Sequence, residues 1–262
     1  MNFFSIKKFV NYIITSAPKR GCDKDSPFVS NIIVKIFRNK INPDVVLKIE
    51  MIRKGLKSDK RCISITDYGT GSYVSNRKPV MVSRHVRRTS VTPKYGELLS
   101  GFSSEFGKSS IIEFGTSFGI STMYLAAGNE EATVFTMEGC PVTAEIAKEN
   151  FKRAGFRNIC SLTGRFEELV PRLEEKKVKP GLVFIDGNHR KDATLDYFER
   201  MATIGDENTV IIIDDICYSH EMGEAWKEIL KDSRISVTID IYRMGIVFFR
   251  PVMTRTDYKI RY

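Results

Sequence analysis

The spacing of apolar residues changes character near residue 109. Before it, Phe3, Ile6, Val10, Ile13 and Ala17 recur at helical intervals, with Lys7, Lys8 and Asn11 elsewhere on the wheel, and an amphipathic helix is expected there. A second helix is expected over about Pro43–Lys57, with Val45, Val46, Ile49 and Ile52 on one side. The basic, Ser-rich stretch from Lys57 to about Arg88 is only weakly periodic. Its glycine pair, within Asp67-Tyr68-Gly69-Thr70-Gly71-Ser72, has no amphipathic helix close behind it and reads as a flexible loop. A soft boundary falls near residue 95, leaving residues 1–95 as a basic, mostly helical region and 96–262 as a domain of another kind.

After Ser109 short apolar runs alternate with helical segments. Strands are expected at Ile111–Phe114, Thr133–Glu138, Asn158–Leu162, Leu182–Asp186 and Thr209–Asp214. Helices are expected at Ser121–Ala127, Pro141–Ala154, Phe166–Lys176, about Ala193–Met201 and about Met222–Leu230. Five such units argue for a parallel sheet covered on both faces. Then the rhythm breaks. Ile235–Tyr242 and Ile246–Phe249 are separated by Arg243-Met244-Gly245 alone, too short for a parallel crossover, so the last strand must return antiparallel as a hairpin. The expected fold class is α/β: a doubly wound, mainly parallel, seven-stranded sheet ending in an antiparallel β-hairpin, with a mostly helical N-terminal extension.

Composition narrows the class. With 262 residues, 42% hydrophobic and 28% charged, the chain is long enough for a sizeable core. No apolar run approaches the ~18 residues of a membrane-spanning helix. The start, with Lys7 and Lys8 and an apolar stretch broken by Asn11 and Thr15-Ser16, is expected to be mature protein. Cysteines 22, 62, 140, 160 and 217 are scattered without zinc spacing, which favours a reducing compartment and a cytoplasmic protein, peripheral to a membrane at most. The net charge of +9 is uneven: residues 1–100 hold 20 Lys/Arg against 7 Asp/Glu, a net of +13. Attraction to an anionic substrate or surface is one reading of that excess, and a solvated surface is the other.

Candidate chemistry gathers at strand ends. Gly115 permits a tight turn after the first strand of the sheet, and Gly119 lets the backbone pass close to a ligand at a helix N-terminus. Their Gly-x-x-x-Gly spacing is neither the dinucleotide fingerprint nor a phosphate loop, which makes ATP and GTP poor fits. Glu138 ends the next strand, about 20 residues on, where an acid accepts hydrogen bonds from ribose hydroxyls. The fourth strand ends Asp186-Gly187-Asn188-His189 and the fifth Asp214-Asp215, all at carboxyl ends of strands. Three converging carboxylates suit a divalent cation such as Mg²⁺, unless other groups neutralise them. His189 is suited to general-base work beside Asp186. His85 and His220 have no comparable partner in the sequence, though His220 lies close to Asp215 along the chain.

These residues resemble the class I S-adenosylmethionine-dependent methyltransferases in their O-methyltransferase form. Glu113–Ala126 (EFGTSFGISTMYLA) is similar to that superfamily's first motif, and Met137-Glu138, FIDGNH and IIIDD follow in its order and spacing over roughly residues 95–250. The resemblance implies the Rossmann-like methyltransferase fold and S-adenosyl-L-methionine as cofactor. It implies contacts from Glu113, Gly115, Thr116, Ser117, Gly119 and Ser121 to the methionine and ribose, from Glu138 to the ribose, and from Gly164, Arg165 and Phe166 beside the adenine. In the metal-dependent catechol-type members a strand-end Asp and an Asp-Asn pair hold the ion. Asp186, Asp214 and Asp215 take those places here, and His189 takes that of the catalytic lysine.

The expected activity is methylation of a hydroxyl on a small-molecule acceptor, with His189 and Asp186 activating it. Residues 1–95 are expected to serve as a lid or in substrate recognition, and a homodimer is left open. Two rivals start from the basic N-terminal region: methylation of RNA, and a non-catalytic adaptor binding a membrane or partner. The chain lacks the Asn-Pro-Pro-Tyr and catalytic-cysteine signatures of many base methylases, so nucleic acid is the less favoured acceptor.

Overall fold

Among the described residues, four helices open on a proline, at Pro27, Pro43, Pro93 and Pro141, where the missing N–H has no intrahelical partner to lose. The computed structural model describes residues 3–18, 26–38, 41–66, 79–108, 110–251 and 254–262, with backbone alone for 3–8. Cys22, Ser109 and the glycine stretch Asp67–Ser72 lie outside the described residues. Among the described residues, Cys62, Cys140, Cys160 and Cys217 form no disulfide.

In chain order the elements are α1 (Phe3–Thr15), β1 (Ala17–Pro18), α2 (Pro27–Ile32, continued by a π-helical turn at Ile33–Phe37) and α3 (Pro43–Ser58). Next come β2 (Cys62–Ile63), β3 (Val80–Met81), α4 (Val82–Thr89) and α5 (Pro93–Phe106). The alternating part follows as β4 (Ser110–Phe114), α6 (Ile120–Gly128), β5 (Thr133–Glu138), α7 (Pro141–Ala154), β6 (Ile159–Thr163) and α8 (Phe166–Glu175). It continues with β7 (Leu182–Ile185), α9 (Lys191–Ile204), β8 (Val210–Ile213), α10 (His220–Ile229), β9 (Val237–Asp240), β10 (Gly245–Phe248) and β11 (Thr256–Arg261). The chain divides into two compact units, Met1–Asn39 with Lys179–Tyr262, and Lys40–Val178.

In the unit Lys40–Val178, β4, β5 and β6 pair in parallel in that order, and β2 and β3 form a separate antiparallel pair. Every residue of β4 is buried, Ser110 and Glu113 included, as in a strand covered on both faces. The helix expected over 43–57 is α3, and it docks through a polar network. The Tyr124 hydroxyl of α6 donates to Glu50 Oε1 at 3.0 Å, Arg53 Nε donates to the same oxygen at 2.9 Å, and Arg53 Nη1 reaches the Val91 carbonyl. Gly96 of α5 lies where any Cβ would strike the Tyr124 ring, so these helices approach at backbone distance.

In the other unit the strand order is β1-β11-β9-β10-β8-β7. β7 and β8 are parallel and wholly buried, and β10 lies antiparallel between β8 and β9, which is the expected terminal hairpin. Two strands extend the sheet beyond expectation: β11 runs parallel to β9, and β1 runs parallel to β11. Across both units, six and three sheet strands replace the seven expected. Ala17, assigned by spacing to the first helix, instead starts β1. Tyr12 of α1 ties this edge down, its buried hydroxyl donating to the Ile260 carbonyl at 2.5 Å. Among the described residues no helix is long and apolar enough to cross a membrane.

Tyr12→Phe leaves that carbonyl without its donor in a buried place. A loss of about 1–2 kcal/mol in urea-unfolding free energy is expected, with β11 opening first in amide hydrogen exchange. An unchanged midpoint would show that the bond contributes nothing.

Candidate functional site

In the unit Lys40–Val178 the carboxyl end of β4 turns sharply at Gly115 (φ +95°), and the chain re-enters a helix at Gly119 (φ +82°). Gly115 N and Thr116 N both donate to the Met137 carbonyl at the end of β5, at 3.0 and 3.1 Å. Asn150 Nδ2 of α7 donates to the Phe118 carbonyl at 3.0 Å. A Cβ at Gly119 would lie 2.2 Å from the Phe151 ring. Glycine at 119 is therefore demanded by its left-handed backbone and by packing against Phe151, a reason the sequence spacing did not disclose.

Beneath this turn lies Glu113, fully buried. Its Oε2 accepts from Thr122 Oγ1 at 2.5 Å and from Thr136 Oγ1 at 2.7 Å, and Thr136 in turn meets Thr116 Oγ1 at 2.6 Å. Its Oε1 is buried with no hydrogen-bond partner among the described residues. Burial pushes the carboxyl up to about 7, against the pull of the nearby Ser121, Thr122 and Thr136 hydroxyls, and the Glu138 charge adds to the rise. Thr136 was not foreseen as part of the site; its inward register on β5 was the available signal.

Glu138, half-buried, is fixed by two backbone N–H groups: Ser117 N donates to Oε2 at 2.7 Å and Cys140 N to Oε1 at 2.9 Å. Gly164 N donates to the Glu138 carbonyl at 3.0 Å, which sets the β6–α8 turn beside it. Arg165, exposed, precedes the first residue of α8, and Phe166 packs edge-on against Phe114 at 5.4 Å between centroids. So Glu113, Gly115, Thr116, Ser117, Gly119, Ser121, Glu138, Gly164, Arg165 and Phe166 all lie along the β4, β5 and β6 ends and the helix starts that follow them. Residues before 95 reach the same place. Thr89 Oγ1 is 3.3 Å from Ser117 Oγ, His85 packs edge-on against Phe118, and Thr66 N donates to Cys140 Sγ at 3.4 Å.

The second cluster belongs to the other unit. Asp214 N donates to the Ile185 carbonyl at 2.9 Å, holding the ends of β7 and β8 together. His189 Nε2 stands 3.7 Å from Asp186 Oδ1 and 4.0 Å from Asp215 Oδ2. Asn188 and Asp215 take left-handed backbone (φ +50° and +55°), and the Asn188 amide donates to the Tyr197 hydroxyl at 3.1 Å. Asp214 is completely buried, and both its oxygens accept from Arg243: Nε to Oδ1 at 2.9 Å and Nη2 to Oδ2 at 2.6 Å. Burial and the Asp214 charge raise the Asp215 carboxyl above its usual range, while His189 and Arg243 oppose the rise.

A divalent cation was expected among Asp186, Asp214 and Asp215, and this arrangement does not fit one. Mg²⁺ needs several oxygens near 2.1 Å in octahedral array, whereas Asp214 is chelated by a guanidinium that also lies 3.8 Å from Asp215. Among the described residues, no three His, Cys, Asp or Glu side chains converge as a metal site.

Comparison with known proteins agrees with this geometry. Residues 112–216 match a family model described as a methyltransferase domain. The O-methyltransferase imqG of Aspergillus flavus is 33% identical over 111 residues, covering 40% of this chain and 44% of that protein. A catechol O-methyltransferase of Niastella koreensis is 29% identical over 130 residues, covering 48% and 58%. The matched stretches thus span about half the length of these curated relatives. The SAH-bound methyltransferase PaMTH1 of Podospora anserina superposes over 95% of this chain and 97% of its own, with a TM-score of 0.60 at 14% identity. The Bacillus cereus O-methyltransferase in complex with SAH covers 78% and 90%, with a TM-score of 0.57 at 20% identity. Residues 112–216 are thus similar to a methyltransferase domain, and the fold is the Rossmann-like one of these solved neighbours. Among methyltransferases its similarities lie with the O-methyltransferases.

The buried Glu113 carboxyl makes a pH prediction. The unfolded chain loses this proton near 4.5 and the folded one near 7, so stability conferred below pH 4.5 is lost as pH rises to 7. The loss is at most about 3 kcal/mol. Urea unfolding of Glu113→Gln should show a flatter dependence over that window. Parallel curves for variant and wild type would refute the raised value.

Proposed function

We propose that the protein transfers a methyl group from S-adenosyl-L-methionine to a hydroxyl of a small-molecule acceptor. The observation that carries this reading is the strand-end pair of acids under and beside the glycine turn: Glu113 with a buried oxygen left unmatched, and Glu138 oriented by the Ser117 and Cys140 amides. This donor set fits the cofactor. Glu138 would accept from the ribose hydroxyls, the Gly115–Ser121 turn would hold the ribose and methionine, and Gly164, Arg165 and Phe166 would lie by the adenine. When bound, the cofactor supplies a methyl group already activated on a sulfonium.

What remains for the chain is to place the acceptor and remove its proton. His189 takes the hydroxyl proton on Nε2, and Asp186, with an oxygen 3.7 Å from that atom, stabilises the imidazolium that forms. Methyl transfer to the oxygen then needs only in-line placement. No step is assigned to a divalent ion. The segment before residue 95 is read as a lid or acceptor-recognition region, a role supported by the contacts of Thr66, His85 and Thr89 with Cys140, Phe118 and Ser117.

Calorimetric titration with S-adenosylhomocysteine should give one site per chain, and Glu138→Gln should weaken it on the order of tenfold or more, as loss of charge-assisted hydrogen bonds predicts. Folded protein that takes up no heat would end this reading. With an acceptor found by screening hydroxylated compounds, His189→Ala should lower kcat by roughly 10²–10⁴ while leaving S-adenosylhomocysteine affinity unchanged. Undiminished turnover would exclude His189 as the base.

A further inference from the structure

The hairpin between β9 and β10 does more than close the sheet. Its turn, residues 241–244, is pinned at several points: Ile241 N donates to the Met244 carbonyl at 3.0 Å, Arg243 N to the Ile241 carbonyl at 2.9 Å, and Ile216 N to the Arg243 carbonyl at 3.1 Å. Tyr242 adopts left-handed backbone (φ +71°) and its N–H donates to Asp240 Oδ1 at 2.7 Å. Gly245 follows with the Trp226 ring so close that a Cβ would lie 2.6 Å from it. The turn therefore has little freedom, and it projects Arg243 onto Asp214.

An arginine so placed answers an electrostatic need. Asp214, with no exposed surface, sits next to Asp215 in the chain, and Asp186 contributes to the same field. Buried carboxylates at this density are costly unless a cation is supplied. The guanidinium supplies it in the geometry for which arginine is suited, a two-pronged pair with Asp214, and the same head stands 3.8 Å from Asp215. A dication brought to these oxygens would have to displace that pair and sit against a fixed positive charge.

We propose that Arg243 is the resident cation of this cluster, standing where a divalent metal would otherwise bind, so that the chain's chemistry at Asp186, Asp214 and Asp215 is independent of metal. The inference rests on the methyl-transfer reading only for the reaction it bears upon, because its test reads metal binding directly. Arg243 is a positioning residue in this account: it holds Asp214 and the ends of β7 and β8, leaving His189 and Asp186 to meet the acceptor.

The test is titration of the full chain with Mn²⁺, followed by electron paramagnetic resonance of the free ion. Wild type should take up none up to roughly millimolar metal, the weak limit for oxygen-ligand sites. Arg243→Ala exposes the carboxylates, so it should melt lower than wild type, bind one Mn²⁺, and regain melting temperature when the ion is added. Arg243→Lys keeps the charge, so it should stay silent to Mn²⁺ and melt between the other two. Stoichiometric Mn²⁺ binding by wild type, abolished in Asp214→Asn, overturns the proposal. So does a folded Arg243→Ala that binds no metal, since the guanidinium would then have no cation's place to fill. Should Arg243→Ala fail to fold, the wild-type and Arg243→Lys titrations still decide, as binding by either overturns it. S-adenosylhomocysteine titration of the same wild-type sample separates the two readings: absent heat there removes the methyl-transfer assignment and leaves the metal result standing.

Discussion

The fully buried carboxyl of Glu113 is the constraint that the carboxyl ends of β4 and β5 are built around. A carboxyl at zero exposure needs polar partners, and Thr122, Thr136 and, one bond further, Thr116 supply them to Oε2. Those three residues come from the start of α6, from β5 and from the turn itself. One acid thereby fixes where strand, turn and helix meet. The glycines at 115 and 119 then follow as requirements: the turn must close tightly enough for Gly115 and Thr116 to share the Met137 carbonyl, and it must leave room for Phe151. Glu138 is oriented by the amide of the same turn, so the position of the second acid depends on the first.

The second cluster solves the same problem differently. Asp214 is as deeply buried as Glu113, but its partner is the guanidinium of Arg243. The two solutions have opposite electrostatic results. At Glu113, burial without a full charge partner drives the carboxyl toward its neutral form near pH 7. At Asp214 the charge is matched, and the remaining acids, Asp186 and Asp215, flank His189 at 3.7 and 4.0 Å. In the proposed reaction, an imidazolium formed at His189 would stand between these two carboxylates.

Much of the architecture was legible because its signals are local. Period, proline at helix starts and the three-residue gap before Ile246 are read within a few residues, and they located β4 to β10 to within about two residues at each end. What was missed depends on contacts far apart in sequence. β11 alternates weakly, and its partner β9 is settled only by tertiary pairing; β1 exists only because β11 does. The helical spacing of Phe3 to Ala17 could not show that Ala17 leaves the helix to join that edge. His85 gave no sequence sign of a partner, since Phe118, the ring it packs against, lies 33 positions on.

The aspartates show most clearly how far strand-end chemistry can be inferred. Asp186, Asp214 and Asp215 were correctly placed at carboxyl ends of strands, where α/β sheets assemble their sites. A carboxylate's place, however, does not reveal its counter-ion. Three carboxylates need positive charge, and both a dication and a guanidinium supply it. The deciding residue lay in the hairpin turn, counted as part of a gap too short for a crossover and given no chemical role. Turn length dictated the antiparallel return, and the antiparallel return is what carries residue 243 back to the end of β8, where Gly245 pairs with Ile213. The same topological fact that sets this sheet apart from an all-parallel one therefore delivers the cation to Asp214.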